Sequence, residues 1–329
     1  MNSGAKKALF TLVPLLVVLG GAEIGLQQAG WPKPTVGFEH NEPFWLTPSD
    51  QESKSYSHKE SGGSFSVSSN EDGLRAPLHA REKPDGTIRV MTMGCSTTFG
   101  WGVDDSESYP AKLERLIRDQ GYDSVEVINA GQPGYTSFQG RWLWAERLRH
   151  YAPDVVLIGF VVQDARKAAY TDKSQAVLQG DNRFLKDNVL YRSRIYMGLR
   201  DILGGIQIKA KERPDGGDGG VYRVPPADFA DNLRYLVEEV RDSGATPVLF
   251  GFPLEREGYT AQHRRILQAA ASELHVSHLD LQDRMDTASR QERLYFERDR
   301  GHANAAGNQR IAQWVYDFLD AQNVLGSSK

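Results

Sequence analysis

Ser96 stands in the run Gly94-Cys95-Ser96-Thr97-Thr98-Phe99-Gly100, directly after the apolar segment 88–93. A hydroxyl on a tight turn at the end of a buried strand can act as a nucleophile if a base takes its proton and a carboxylate orients that base. Of the eight histidines, His302 has a carboxylate at useful spacing, in Asp299-Arg300-Gly301-His302-Ala303-Asn304. That separation lets one turn of chain aim both side chains together, so that Asp299 holds Nδ1 and leaves Nε2 free. Gly301 permits the tight path. His40, His58 and His79 lie in a polar stretch and read as solvated; His150, His263, His275 and His278 sit in or beside helices and short turns and read as structural. An acyl-transfer intermediate also needs oxyanion donors. The Ser96 N–H is one, a glycine N–H from the stretch 129–135 is another, and the Gln163 side-chain amide in 159–164 is a third.

Two phosphate readings of the same run fail. A phosphate-cradling loop needs a lysine after its second glycine, and Gly100 is followed by Trp101. The dinucleotide fingerprint Gly-x-Gly-x-x-Gly is also absent after this strand.

These residues need a frame that brings them to one edge. Five apolar runs, 88–94, 124–131, 154–161, 246–252 and 277–282, alternate with helical periods at 109–120, 138–151, 229–242, 261–275 and 304–320. Alternation of this kind predicts a parallel sheet covered on both faces and joined by right-handed crossovers. The expected fold is a flavodoxin-like three-layer α/β/α sandwich with about five strands. Ligands in such folds sit beyond the carboxyl ends of the strands, where Ser96 lies. The stretch 28–86 is polar and turn-rich, without a helical period, and reads as an arm leading into a domain over 87–322. Regularity fails over 163–226, an insert read as a lid, with a short helix expected at 191–203; 323–329 is a tail.

Composition narrows the function. With 39 Lys+Arg against 43 Asp+Glu and a formal net charge of -4, no basic face for nucleic acid is implied. The single cysteine, Cys95, excludes an intramolecular disulfide and a cysteine-based zinc site. Residues 1–7 carry Lys6 and Lys7 and no acid, and 8–22 is uncharged and apolar. This is the pattern of an export signal. Two outcomes stay open: cleavage near Ala22, or retention of 8–27 as a signal anchor, the expectation adopted because Glu23–Leu26 extends the run toward membrane-spanning length. No cysteine follows the run, so a lipoprotein is not expected.

In their order along the chain these pieces resemble the SGNH/GDSL hydrolase superfamily. Its Gly-Asp-Ser block resembles Gly94-Cys95-Ser96, its second-block glycine matches Gly134, and its Gly-x-Asn-Asp block resembles Val161-Val162-Gln163-Asp164. Its Asp-x-x-His block matches Asp299 to His302, followed by Asn304 and Gly307. Asn70-Glu71-Asp72-Gly73-Leu74-Arg75 resembles the lead-in of membrane-anchored bacterial members. Two departures stand out. Cys95 replaces an aspartate and reads as a small packing residue. Gln163 replaces an asparagine, adding a methylene that displaces the amide unless the backbone retreats. Losing one such donor costs about 10²–10³ in rate.

The resemblance implies a Ser-His-Asp acyl hydrolase: Ser96 as nucleophile, His302 as base, Asp299 as its orienting acid, and Ser96, Gly134 and Gln163 around the oxyanion. Trp101, Tyr135 and Phe138 follow the motif glycines and are candidates for a substrate groove. Asp280, at the end of the last strand, is a competing acid. No metal or organic cofactor is required. The implied substrate is a small-molecule or glycan ester, and the implied location is the bacterial envelope, on the outer side of the inner membrane or secreted. Two alternatives remain: a polysaccharide O-acyltransferase using the same triad, and a non-catalytic binding scaffold.

Overall fold

The computed structural model describes residues 3–31, 39–40, 44–58, 63–180, 193–199, 202, 220–255, 258–299 and 301–325. The chain divides into two compact units, Met1–Gly37 with Gln175–Gly219, and Phe38–Ser174 with Gly220–Lys329.

The first unit holds helix α1 (Ser3–Gln28). Its Glu23 carboxylate accepts hydrogen bonds from Ser193 Oγ at 2.9 Å, from Ile195 N at 3.1 Å and from Arg194 N. Among the described residues no helix is long and apolar enough to cross a membrane, so the expected anchor over 8–27 finds no support. The physical reason is length. The uncharged run ends at Glu23, and a span needs about 20 apolar residues. Most of the insert read as a lid also belongs to this unit. Residues 194–199 are helical, inside the expected short helix, whereas 181–192 and 203–219 lie outside the described residues.

The second unit begins, within the expected arm, with short antiparallel pairs: β1 (Glu39–His40) with β2 (Trp45–Leu46), and β3 (Lys54–His58) with β4 (Gly63–Val67). Then come β5 (Ile88–Gly94), the one-turn helix α2 (Ser96–Phe99), α3 (Tyr109–Asp119), β6 (Val125–Gly131), α4 (Ser137–Glu146) and β7 (Val155–Gly159). The insert opens with β8 (Lys167–Ala168) and the start of α5 (Asp172–Gly180), which from Gln175 counts with the first unit, and closes with β9 (Val221–Tyr222), which pairs antiparallel with β8. Helix α6 (Pro226–Asp242), β10 (Thr246–Gly251), α7 (Ala261–Glu273), β11 (Ser277–Asp280), α8 (Gln282–Ala288) and α9 (Ala305–Ala321) complete it.

The sheet order is β11-β10-β7-β5-β6, and every pairing is parallel. This is the doubly wound arrangement expected from the sequence, with order reversing between β5 and β7. Val90, Val127, Leu157 and Phe250 pack with Leu113 and Ile117 of α3 and Ile311 and Val315 of α9. The alternate residues Met91, Ile128, Val156 and Leu249 are equally buried, as strands covered on both faces require. Helices α4, α6 and α7 pack in succession to supply the other layer.

Candidate active site

At the carboxyl end of β5 the chain passes through the extended Cys95 into α2. Gly100 ends that turn at φ 84° and donates its N–H to Ser96 O. A side chain there would bring its Cβ to 2.7 Å from Ser108 Cβ, so the left-handed stop is reserved for glycine. The turn presents Ser96 Oγ to His302 Nε2 at 2.8 Å, and His302 Nδ1 lies 2.5 Å from Asp299 Oδ2. A carboxylate only accepts, so Nδ1 carries the proton and Nε2 is left to accept from the serine hydroxyl. The arrangement is a proton relay: Nε2 is placed to take the Ser96 proton as Oγ attacks.

The relay rests on the loop before α9. Asp299 Oδ1 accepts the Gly301 N–H at 3.1 Å, Tyr295 bridges Ala303, and Asn304 caps α9 by accepting from Gly307 N at 3.0 Å. Burial pushes the Asp299 carboxyl up, but hydrogen bonds from His302, His58 and Gly301 outweigh it and hold the group below the usual carboxylate range. Asp299 therefore stays ionised beside His302. Asp280 is engaged elsewhere, bound by Arg264 Nη1 at 2.8 and 3.0 Å.

Among the proposed oxyanion donors, Ser96 opens α2, so its N–H has no acceptor within the helix. Gly134 has φ 81°. Its carbonyl accepts from Arg223 Nη1 at 2.8 Å, and the same nitrogen donates to Gln163 Oε1 at 3.1 Å. With Oε1 thus occupied, the Gln163 amide has its N–H groups to offer. Arg223 is itself clamped by Asp172, through Nε at 2.9 Å and Nη2 at 2.8 Å.

The expected groove is not lined as the sequence suggested. Tyr135 is wholly buried and packs edge-on to Phe44; it is a core residue, because the turn that frees Gly134 directs the next side chain inward. Trp101 is half-buried and packs against Tyr56, Phe65 and Phe99, so it seats the β3–β4 hairpin. Phe138 borders a small open cleft shared with Arg141, Lys173, Arg223 and Asp228. Cys95 is buried with Val162 and Leu254, its Sγ 3.2 Å from Thr97 Oγ1, as a packing residue would be.

Sequence reasoning missed two contributors. His58, read as solvated, is buried and places Nε2 2.9 Å from Asp299 Oδ2. Arg223 lies at the returning end of an irregular insert. Neither position carries a periodic or motif signal. His58, Asp299 and His302 are also a donor set for a metal ion, with ligand atoms all within 4.8 Å of one another. Here two N–H···O bonds join these atoms, and an ion would have to displace both protons.

Residues 93–310 match the model of the GDSL-like lipase/acylhydrolase family. Comparison with curated proteins found no match. Similar solved structures include TesA, at 19% identity over 71% of this chain and 98% of that one, TM-score 0.47. The lipase/acylhydrolase of Enterococcus faecalis is similar at 18%, 72% and 97%, TM-score 0.48. A catalytic mutant of Axe2, an acetylxylan esterase from Geobacillus stearothermophilus, is similar at 17%, 75% and 97%, TM-score 0.47.

Proposed function

The chain belongs to the GDSL-like lipase/acylhydrolase family and is an ester-bond hydrolase, and we propose that it works through an acyl-enzyme on Ser96. The observation that carries this reading is the continuous hydrogen-bond chain from Ser96 Oγ through His302 to Asp299. Ser96 Oγ attacks the ester carbonyl as Nε2 takes its proton, and the imidazolium is held by the ionised Asp299. The N–H groups of Ser96 and Gly134 and the Gln163 amide receive the oxyanion. His302 then protonates the leaving alcohol, and water, deprotonated by the same nitrogen, releases the acid.

The test is hydrolysis of p-nitrophenyl acetate by wild type and variants. Ser96→Ala and His302→Ala are expected to lose about 10⁴-fold or more in kcat, and Cys95→Ala to retain turnover. Equal rates for wild type and Ser96→Ala would overturn the assignment. An acetylated glycan is the proposed natural substrate class, read out by acetate release from polysaccharide rather than from the model ester.

The proposal places the protein outside the cytoplasm, on the lysines and apolar run of residues 1–22. Fractionation of expressing cells, with N-terminal sequencing of the exported product, tests export and shows whether the segment is cleaved. A product confined to the cytoplasm would contradict it.

A further inference from the structure

We propose that His58 is a positioning residue of this site, delivered by the arm to give the Asp299 carboxylate a second imidazole donor beside its catalytic partner; the idea rests on reading Ser96, His302 and Asp299 as the triad. One oxygen, Asp299 Oδ2, meets two imidazoles: His302 Nδ1 at 2.5 Å and His58 Nε2 at 2.9 Å. Because the carboxylate accepts only, both nitrogens donate. The two rings stand nearly perpendicular, at 87°, with centroids 6.5 Å apart. His58 is thus fixed by the same acid as the proposed base without competing for the nitrogen that faces Ser96.

The surroundings are built for that ring. His58 ends β3, and its side chain is 1% exposed. Phe296, just upstream of Asp299, meets it edge-on at 4.6 Å. A Cβ on Gly102 would lie 2.8 Å from both His58 Nδ1 and Phe296, so the loop after the nucleophile turn leaves room for this imidazole only as glycine. The hairpin is held over the turn by Tyr56, Phe65 and Val67 packing with Phe99. Ser66 also donates from its N–H and Oγ to Asp104, at 2.8 and 2.9 Å. Two separate parts of the chain therefore converge on one carboxylate oxygen.

The chemistry gives the contact a purpose. When His302 carries the serine proton, Asp299 must remain ionised and in register with Nδ1. A half-buried carboxylate with a second charge-assisted donor is held in one rotamer and keeps its charge compensated. The bland reading is that His58 is only a strut for the hairpin, and the two readings separate experimentally.

His58→Phe keeps the aromatic ring and its packing but removes the N–H; His58→Gln restores an amide N–H at about the reach of Nε2. In full-length protein, His58→Phe is expected to lower kcat for p-nitrophenyl acetate by roughly tenfold or more, with KM within about twofold. His58→Gln is expected to recover most of the loss while both variants keep wild-type urea midpoints. The second readout needs no turnover. The far-downfield proton signal of His302 Nδ1, assigned by its loss in His302→Ala, is expected to move in His58→Phe and return toward wild type in His58→Gln. Unchanged kcat and an unmoved signal in His58→Phe would overturn the proposal, as would equal losses in both variants accompanied by equal destabilisation. If wild type shows no Ser96-dependent turnover, the proposed function fails. The signal alone then decides whether His58 positions Asp299, a shift supporting it and no shift refuting it.

Discussion

Arg223 couples two of the three groups proposed to hold the oxyanion, since one guanidinium nitrogen bonds both the Gly134 carbonyl and Gln163 Oε1. Replacing it by methionine keeps bulk and removes the anchor. Arg223→Met is expected to lower kcat about 10–10²-fold, less than the 10²–10³ typical of deleting a donor outright, with Ser96 still reactive toward a covalent serine reagent. An unchanged kcat would mean that Gln163 is oriented by something else. The residue types were legible here: an amide at the block position and a glycine at a strand end. Which way the amide points was not, because that is set by an arginine distant in sequence. The neighbouring Asp164 tells a thermodynamic story. It is wholly buried, Ser137 donates to Oδ1 from its N–H and Oγ at 2.9 and 2.5 Å, and Oδ2 meets no partner. Burial pushes its carboxyl up to about 7. A folded-state value above the unfolded value of about 3.9 favours folding while the group is protonated; that contribution is full below pH 4 and fades as pH rises toward 7. Asp164→Asn is expected to be more stable than wild type above pH 7, by about 4 kcal/mol at most, and no more stable at pH 4. Urea melts at the two pH values check this, and an equal difference at both would contradict it.

At the scale of elements, the legible parts were those buried on both faces. β5, β6 and β7 read directly from their apolar runs, and α3 and α9 from their apolar stripes. Helix α8 went unread because its seven residues are too few to show a period. The strands inside the arm went unread because β3 and β4 alternate through small polar residues and bury only every second side chain. Beyond the small apolar cluster of Tyr56, Phe65, Val67 and Phe99, what fixes the arm is polar. Arg75, wholly buried, donates to the carbonyls of Phe99, Gly100 and Val103 at 2.8, 2.7 and 2.6 Å and to Asp105 at 2.8 Å. It thereby closes the loop that follows the nucleophile. Arg75→Leu would leave Val103 O without its donor and Asp105 without its buried cation, while Phe99 O keeps Asn129 Nδ2 and Gly100 O keeps Val103 N; it is expected to cost about 3–5 kcal/mol, measured as a fall in the urea midpoint. A cost below about 1 kcal/mol would mean that water or other donors reach Val103 O.

On the scale of the whole molecule, the order β11-β10-β7-β5-β6 brings residues far apart in sequence to the carboxyl end of the sheet, Ser96 from the turn after β5 and His302 from the loop before α9. The arm adds a third origin, so the second unit as a whole, rather than the run 93–310 alone, constitutes the site. Its topology was legible because right-handed crossovers between adjacent parallel strands leave few alternatives; the docking of the arm was not, since no local pattern encodes it. The central claim is that Ser96 is an activated nucleophile. Mass spectrometry after treatment with a fluorophosphonate tests it most directly. The account predicts a single adduct, on the peptide containing Ser96, absent in Ser96→Ala and strongly slowed in His302→Ala. Labelling that persists in Ser96→Ala, or no labelling of wild type, would contradict it.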